Sequence, residues 1–274
     1  MIEVLKRFSL LAIIFLFILP QLDVPAQNIS NENVPVEKRF SAGEEFTYLV
    51  TYAFINIGEL KTKIYAKEII DGKTIYKSSV NIDSYEGLPF VDIHQYYESW
   101  FDSTLFPVYF QADLYNEKDT GYVKYFFKDD NKVHVLRGKF GKAKPSLDTT
   151  IMLDEKYLDG LSLLYFARYN FYKHQTITAP CYVNEDTTST IITYHMKEDE
   201  VEIDNVDYDV DCLMLDGRTN FTGIFGLTGD FKGWFSNDIY RVPIKANLEV
   251  LIGSVSVELM QWKKKSWKPP EVKD

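Results

Sequence analysis

Histidine and cysteine are scarce in this chain of 274 residues, and with them most of the usual chemistry of metal sites. Only four histidines occur, His94, His134, His174 and His195, and none has a second His or Cys at metal-ligand spacing. No Gly-x-Ser-x-Gly elbow is present, and no phosphate-cradling glycine loop precedes a helix. No catalytic residue, metal or cofactor is therefore expected. Positive charge is also in deficit. A net charge of −10 argues against nucleic acid, whose phosphates demand clustered Lys and Arg, and against adhesion to an anionic membrane by charge alone.

Long apolar runs are rarer still: one follows Lys6 and Arg7, from Phe8 to Leu19. It is shorter than the roughly 20 residues that a hydrocarbon core requires. Pro20 breaks the run, and Val24-Pro25-Ala26 places small residues where a signal peptidase reads. A cleaved signal peptide over residues 1–26 is expected, with the mature chain starting at Gln27, in the periplasm or secreted. No cysteine lies near that point, which leaves out a lipoprotein, and no membrane span remains after cleavage. Cys181 and Cys212 are the only thiols. Export permits their pairing, but both fall on the apolar parity of their strands, so a disulfide and two separate buried thiols stand as equal alternatives.

Aromatic residues are abundant, with 19 Tyr, 19 Phe and 4 Trp, which suits strands facing one another. Residues 27–39 are polar and aperiodic and read as a flexible arm. A single β-rich domain spans 40–264, and 265–274 form a C-terminal tail. Phe46, Tyr48, Val50, Tyr52 and Phe54 alternate with less apolar neighbours, the period of a strand with one aromatic face. Asn56 and Gly58 mark its turn, and Asp71-Gly72 marks a second hairpin. The same grammar recurs to the end, with further strands near 74–83, 94–101, 106–116, 121–128, 132–138, 176–183, 206–215, 224–235, 240–251 and 254–263, giving about twelve strands with sequential antiparallel pairing. Separate strands are expected at 189–197 and 199–204. Asp204-Asn205 would then turn a hairpin whose six carboxylates, from Glu200 to Asp211, form a solvated outer face.

One segment differs. Asp159 is a good N-cap for a helix with Leu161, Leu164, Tyr165 and Arg168 on one face. The fold class is mainly β: a long curved antiparallel sheet, or an open or closed barrel, wrapped partly around one amphipathic helix. A concave cavity lined by Phe46, Tyr48, Tyr52 and Phe54, with Leu164 and Arg168 from the helix, would suit an apolar ligand. A helix that fills the concavity would leave none.

Several spaced motifs carry a resemblance. Gly43-Glu44 precedes Tyr48 and Gly58, then come Tyr97-x-x-Trp100-x-Asp102-x-x-Leu105-x-Pro107 and Asp159-Gly160-Leu161-Ser162 with Arg168. Trp234-x-Ser236-x-Asp238-x-x-Arg241-x-Pro243 follows later. In this order they resemble the bacterial envelope family known as domain of unknown function 3108, over residues 40–262. The resemblance implies an exported β-rich domain with no established activity. The architecture is also similar to that of periplasmic lipoprotein carriers, an analogy of shape alone. Within the pattern, Tyr97, Trp100, Asp102, Pro107, Asp159, Arg168, Ser236, Asp238 and Arg241 suit turn, cap and packing roles. The expected function is non-enzymatic binding of a hydrophobic or acylated envelope component. The alternatives are a structural protein that docks other envelope proteins, and glycan binding or hydrolysis, for which Asp102, Arg168 and Asp238 would have to converge.

Overall fold

The computed structural model describes residues 34–88, 91–115, 120–223, 228–250 and 253–273. The expected signal segment and its expected cleavage point at Ala26 and Gln27 lie outside the described residues. The first eight strands are β1 (Glu45–Tyr52), β2 (Ile55–Ile70), β3 (Lys73–Ser84), β4 (His94–Asp102), β5 (Pro107–Tyr115), β6 (Thr120–Phe127), β7 (Lys132–Lys139) and β8 (Leu147–Met152). After a helical segment come β9 (Gln175–Val183), β10 (Asp186–Val201), β11 (Val210–Thr219), β12 (Gly229–Ser236), β13 (Pro243–Glu249) and β14 (Ser254–Lys263). Among the described residues two helices accompany them, α1 (Val36–Arg39) and α2 (Ser162–Tyr169).

Strands joined by turns or loops pair antiparallel with their neighbours in sequence, and β1 also pairs with β14, Glu45 facing Lys263 and Tyr52 facing Val255. The result is one 14-stranded up-and-down sheet that curls back on its own start and does not close. Its single break lies between β8 and β9, where the chain leaves the sheet to build α2. Side chains bridge this seam. Tyr125 of β6 packs its ring 5.1 Å from Tyr182 of β9, and Arg137 of β7 pairs with Glu185 in the β9–β10 turn. Leu158 adds one parallel bridge to the β9 edge, its N–H donating to the Pro180 carbonyl at 2.9 Å.

α2 starts as its sequence dictates. The Asp159 carboxylate accepts the N–H groups of Leu161 and Ser162 at 2.7 and 2.8 Å, and the Asp159 carbonyl accepts the first α-helical bond from Leu163. The helix lies on the concave side of the sheet. Its Tyr165 packs on Phe101 of β4 at 4.7 Å and on Phe40 at 5.5 Å. Its Ala167 joins an apolar cluster with Ile192, Leu213, Leu215 and Phe235 of the opposite strands.

Several expectations are corrected. The first turn is made by Ala53 and Phe54, both at positive φ, rather than by Asn56 and Gly58. Gly58 serves close approach instead, because a Cβ there would meet the Asp83 carbonyl oxygen of β3 at 2.3 Å. Asp71-Gly72 does turn the next hairpin, at φ 50° and 77°. The separate strands 189–197 and 199–204 are one strand, β10, irregular between Tyr194 and Glu198 where Met196 takes φ 51°. No hairpin forms at Asp204-Asn205: β10 ends at Val201, and a loop holding exposed Glu202, Asp204, Asp207 and Asp209 leads to β11. β8 was not anticipated by the alternation.

Of the segment 27–39, expected to be a flexible arm, residues 36–39 form an ordered helical turn, with Val36 and Arg39 buried. The tail of 265–274 is docked as well: Trp267 is buried, and the Pro270 carbonyl accepts the Asp211 N–H at 2.8 Å. Cys181 and Cys212 are free thiols. On β10, Cys181 faces Thr188 and Cys212 faces Asp199, which puts them on the order of 30 Å apart along the strand and beyond any disulfide.

Candidate functional site

The concave side is divided by α2. Toward β3–β6 the space is filled by aromatic rings: Tyr76 stacks on Phe101 at 5.6 Å, and Phe110 stacks on Tyr125 at 5.3 Å. Toward β10–β14 it is hollow. Leu163, Leu164 and Ala167 of α2 face a cavity of about 160 Å³ whose far wall includes Leu215, Phe231 and Leu248. Tyr48 and Leu60 close one side. Small residues keep the space open, since Gly233, Ala246, Thr190 and Thr219 stand where larger side chains would intrude. Gly233 has its potential Cβ 3.0 Å from the Phe235 ring, so a side chain there would have to displace that ring or enter the cavity.

Polar groups at the cavity are few. Thr62, Thr190 and Thr219 contribute hydroxyls, while the two lysines in its lining carry their charges elsewhere. Lys245 pairs with Glu258 at 2.6 Å, and the Lys232 ammonium lies 5.6 Å from the Trp234 ring on the outer face. Among the described residues no acid, base or nucleophile pair lines the space, whose walls are those of an apolar container.

Behind Tyr48, Thr62 and Leu164, across a recess of about 10 Å³, lies a buried charged clamp. Glu44 accepts Arg168 Nη1 at 2.9 Å on one oxygen and Lys264 Nζ at 2.6 Å on the other, and all three side chains are almost fully buried. Burial opposes the charge on Glu44, but the Arg168 and Lys264 cations outweigh it and hold the carboxyl below its ordinary value. Burial in turn lowers the Lys264 ammonium. Arg168 also donates to the carbonyls of Arg241 and Tyr240, both at 3.2 Å. Arg39 reaches from α1 to the last carbonyls of α2, those of Arg168 and Tyr169, where positive charge suits the helix dipole. The clamp thus ties α1, β1, α2, the β12–β13 turn and the C-terminal segment together.

The N-terminal end of α2 is fixed separately. Ser99 of β4 donates to the Asp159 carboxylate at 2.6 Å. Burial pushes this carboxyl up to about 6, against the hydrogen bonds from Ser99, Ser162 and Leu161 that favour its charge. The helix that walls the cavity is therefore held at both ends by buried ionisable groups.

The family described as protein of unknown function (DUF3108) matches residues 47–260. The chain belongs to that family. No curated protein matches this DUF3108 chain in sequence. Among solved structures, it is similar to the crystal structure of a beta-barrel-like protein of domain of unknown function DUF1849 from Brucella abortus. The TM-score is 0.52 at 10% identity, over 80% of this chain and 96% of that one. At that identity the likeness speaks for the barrel-like fold alone.

In this DUF3108 chain the motif residues divide by role. Asp159, Arg168, Ser236, Asp238 and Arg241 meet at the two ends of α2. Asp238 accepts the N–H groups of Tyr240 and Arg241 at 2.8 and 3.1 Å and the Trp267 indole at 2.7 Å. Ser236 donates to the same carboxylate at 2.9 Å, and Arg241 donates to the Phe171 carbonyl at 2.9 Å. Tyr97 is a core residue against Phe110. Trp100 points outward beneath Lys77, whose ammonium lies 4.1 Å from the ring. Asp102 caps the β4–β5 turn through the Thr104 N–H at 2.7 Å, and Pro107 opens β5. Asp102, Arg168 and Asp238 do not converge on a pocket: the first caps a turn, the second belongs to the clamp, and the third holds the β12–β13 turn to Trp267.

Of the six residues expected to line a cavity, Tyr48 and Leu164 line the one of about 160 Å³ beneath α2. Phe46 and Arg168 border a recess of about 10 Å³ beside it, too small for a ligand. Tyr52 is half-buried near Gly253, and Phe54 is corrected outright: it sits fully exposed in the β1–β2 turn. Alternation was extended two residues too far, through a turn that neither Gly nor Asn announces. Most of the true wall comes from β10–β13, where the apolar alternation was legible but the facing partner was not. Among the described residues, no group of three His, Cys, Asp or Glu side chains is arranged to hold a metal.

Proposed function

We propose that this chain is an exported binding protein that holds a hydrophobic or acylated envelope component in the cavity between α2 and strands β10–β14. The observation that carries this reading is a space of about 160 Å³ left open in a structure whose other half is packed with aromatic rings. Protein interiors close such voids unless something else fills them, because each unfilled site forfeits contacts among its lining atoms. The clamp supports the reading: buried charges that fix a helix over an apolar space keep that space from collapsing.

The test is mass spectrometry of organic extracts from the chain purified out of its native envelope under mild conditions. An apolar compound recovered at near-stoichiometric amount, and lost from the Ala246→Phe variant, is the expected result. Extracts with no compound above the level of a control protein from the same fraction would overturn the reading.

A second reading, docking of other envelope proteins, rests on a different observation. β8 and β9 end the sheet, and Met152 on β8 is a large exposed apolar side chain. The β9 edge is partly covered by Leu158, whereas the β8 edge is of the kind that invites strand addition. It predicts binding that survives filling of the cavity.

A further inference from the structure

We infer that the cavity takes one unbranched hydrocarbon chain at a time, so that the ligand class is a single-chain amphiphile whose head stays in solvent. This deepens the proposed function and rests on it. The volume sets the limit: an apolar cavity of about 150 Å³ accommodates one benzene, so the space here encloses roughly six to eight carbons. Two or three chains of a phospholipid or a triacylated lipoprotein do not fit together in it.

The shape of the space also orients the chain. The Glu44, Arg168 and Lys264 cluster lies behind the Tyr48 and Leu164 side of the space, across the small recess, so a chain is expected to enter from the side of Thr219, Phe221 and Leu248, away from the cluster. Its methyl terminus lies toward the clamp, which offers no free hydrogen-bond donor: Arg168 and Lys264 are engaged with Glu44. The head group meets no dedicated cation, because Lys245 is paired with Glu258 and Lys232 lies over Trp234 on the outer face. Fatty acids and lysophospholipids share the recognised chemistry, one hydrocarbon chain, and are expected to bind within tenfold of each other at equal chain length.

The experiment displaces N-phenyl-1-naphthylamine from the purified chain with fatty acids from butanoate to hexadecanoate, each below its critical micelle concentration. Parallel arms use a lysophospholipid, a diacyl phospholipid and a triacylated lipopeptide. Affinity is expected to rise about fourfold per methylene until the enclosed space is full, and then to flatten. The Leu164→Ala variant removes three carbons from the wall, and its plateau should move out by two to three methylenes, with thermal unfolding confirming that it folds.

A plateau at about six to eight carbons and weaker binding of the diacyl and triacyl arms support the inference. Affinity that keeps rising through hexadecanoate, or diacyl and triacyl ligands that bind more tightly than single chains, would overturn it while leaving the proposed function intact. Absence of binding in every arm, the probe included, would overturn both. A lysophospholipid that binds more than tenfold more tightly than the matching fatty acid would overturn the claim that the head is not read.

Discussion

The two halves of the concave side share one sheet and one helix, yet they are packed by opposite rules. On the β3–β6 side, inward positions carry Tyr76, Tyr97, Phe101, Phe110 and Tyr125, whose rings interlock with Tyr165 of α2. On the β10–β14 side Tyr194 and Phe235 pack on Phe171 just beyond the C-terminal end of α2, but the inward positions beside them are short at Thr190, Thr219, Gly233 and Ala246, and the helix meets these with Leu163, Leu164 and Ala167. Aromatic rings span the distance from sheet to helix, whereas short side chains do not. The cavity is thus a consequence of residue size at equivalent positions, and the clamp keeps the helix from moving across to close it. The comparison predicts that the halves respond oppositely to changes of volume.

The largest effect is expected where the frame itself is broken. Glu44→Ala leaves Arg168 and Lys264 buried without their carboxylate and should cost about 3–5 kcal/mol, read by denaturant unfolding. A loss below about 1 kcal/mol would mean that the clamp does not hold the helix.

In the filled half, Phe101→Ala removes a ring stacked between Tyr76 and Tyr165 and should cost about 3–5 kcal/mol. The same measurement on Leu164→Asp should show a smaller loss, on the order of 1–3 kcal/mol, because the carboxylate points into a space that water can enter. Equal losses from the two variants would erase the distinction between the halves.

Asp159 provides a pH test of how the helix is anchored. Its carboxyl is raised by burial from 3.8 to about 6, so the folded chain binds this proton more tightly than the unfolded chain does. Stability attributable to this group is therefore greatest below about pH 4, declines as pH rises to about 6, and stays at the lower level above that. The difference is on the order of 2–3 kcal/mol. Asp159→Asn keeps an oxygen to cap Leu161 and Ser162 but cannot titrate. The gap in stability between the variant and the parent should favour the variant more at pH 7 than at pH 4, followed by urea midpoints. A gap independent of pH would show that Asp159 is not charged at a cost in the folded chain.

The smallest expected effect is the most discriminating. Ala246→Phe adds a ring to the hollow half and should change stability by less than about 1 kcal/mol, since it enters space already open. The equivalent enlargement in the filled half, Ala112→Phe beside Tyr97 and Val123, should cost about 1–3 kcal/mol by overpacking. Thermal unfolding of the pair decides it, and similar shifts in both would argue that the cavity does not exist in solution.

Alternation of apolar and polar residues determined most of the strands, because a side-chain period of two is a local property of extended backbone. It located β3 to β7, β9 and β14 to within a residue or two. Asp159 announced α2 for the same reason, since a capping carboxylate acts within three residues of itself. Where local signals were ambiguous, tertiary context prevailed. Ala53 and Phe54 turn the first hairpin in place of Asn56 and Gly58, since Gly58 is needed for close approach to β3. Only the tertiary structure decided which strand faces which across the concavity, and so that aromatic faces would meet on one side and short residues on the other. It alone brought Glu44 to Lys264, residues near opposite ends of the domain, and set Cys181 and Cys212 too far apart to bond. These are contacts between segments remote in sequence, fixed by how far the sheet curls and where it breaks, and no local pattern encodes that geometry.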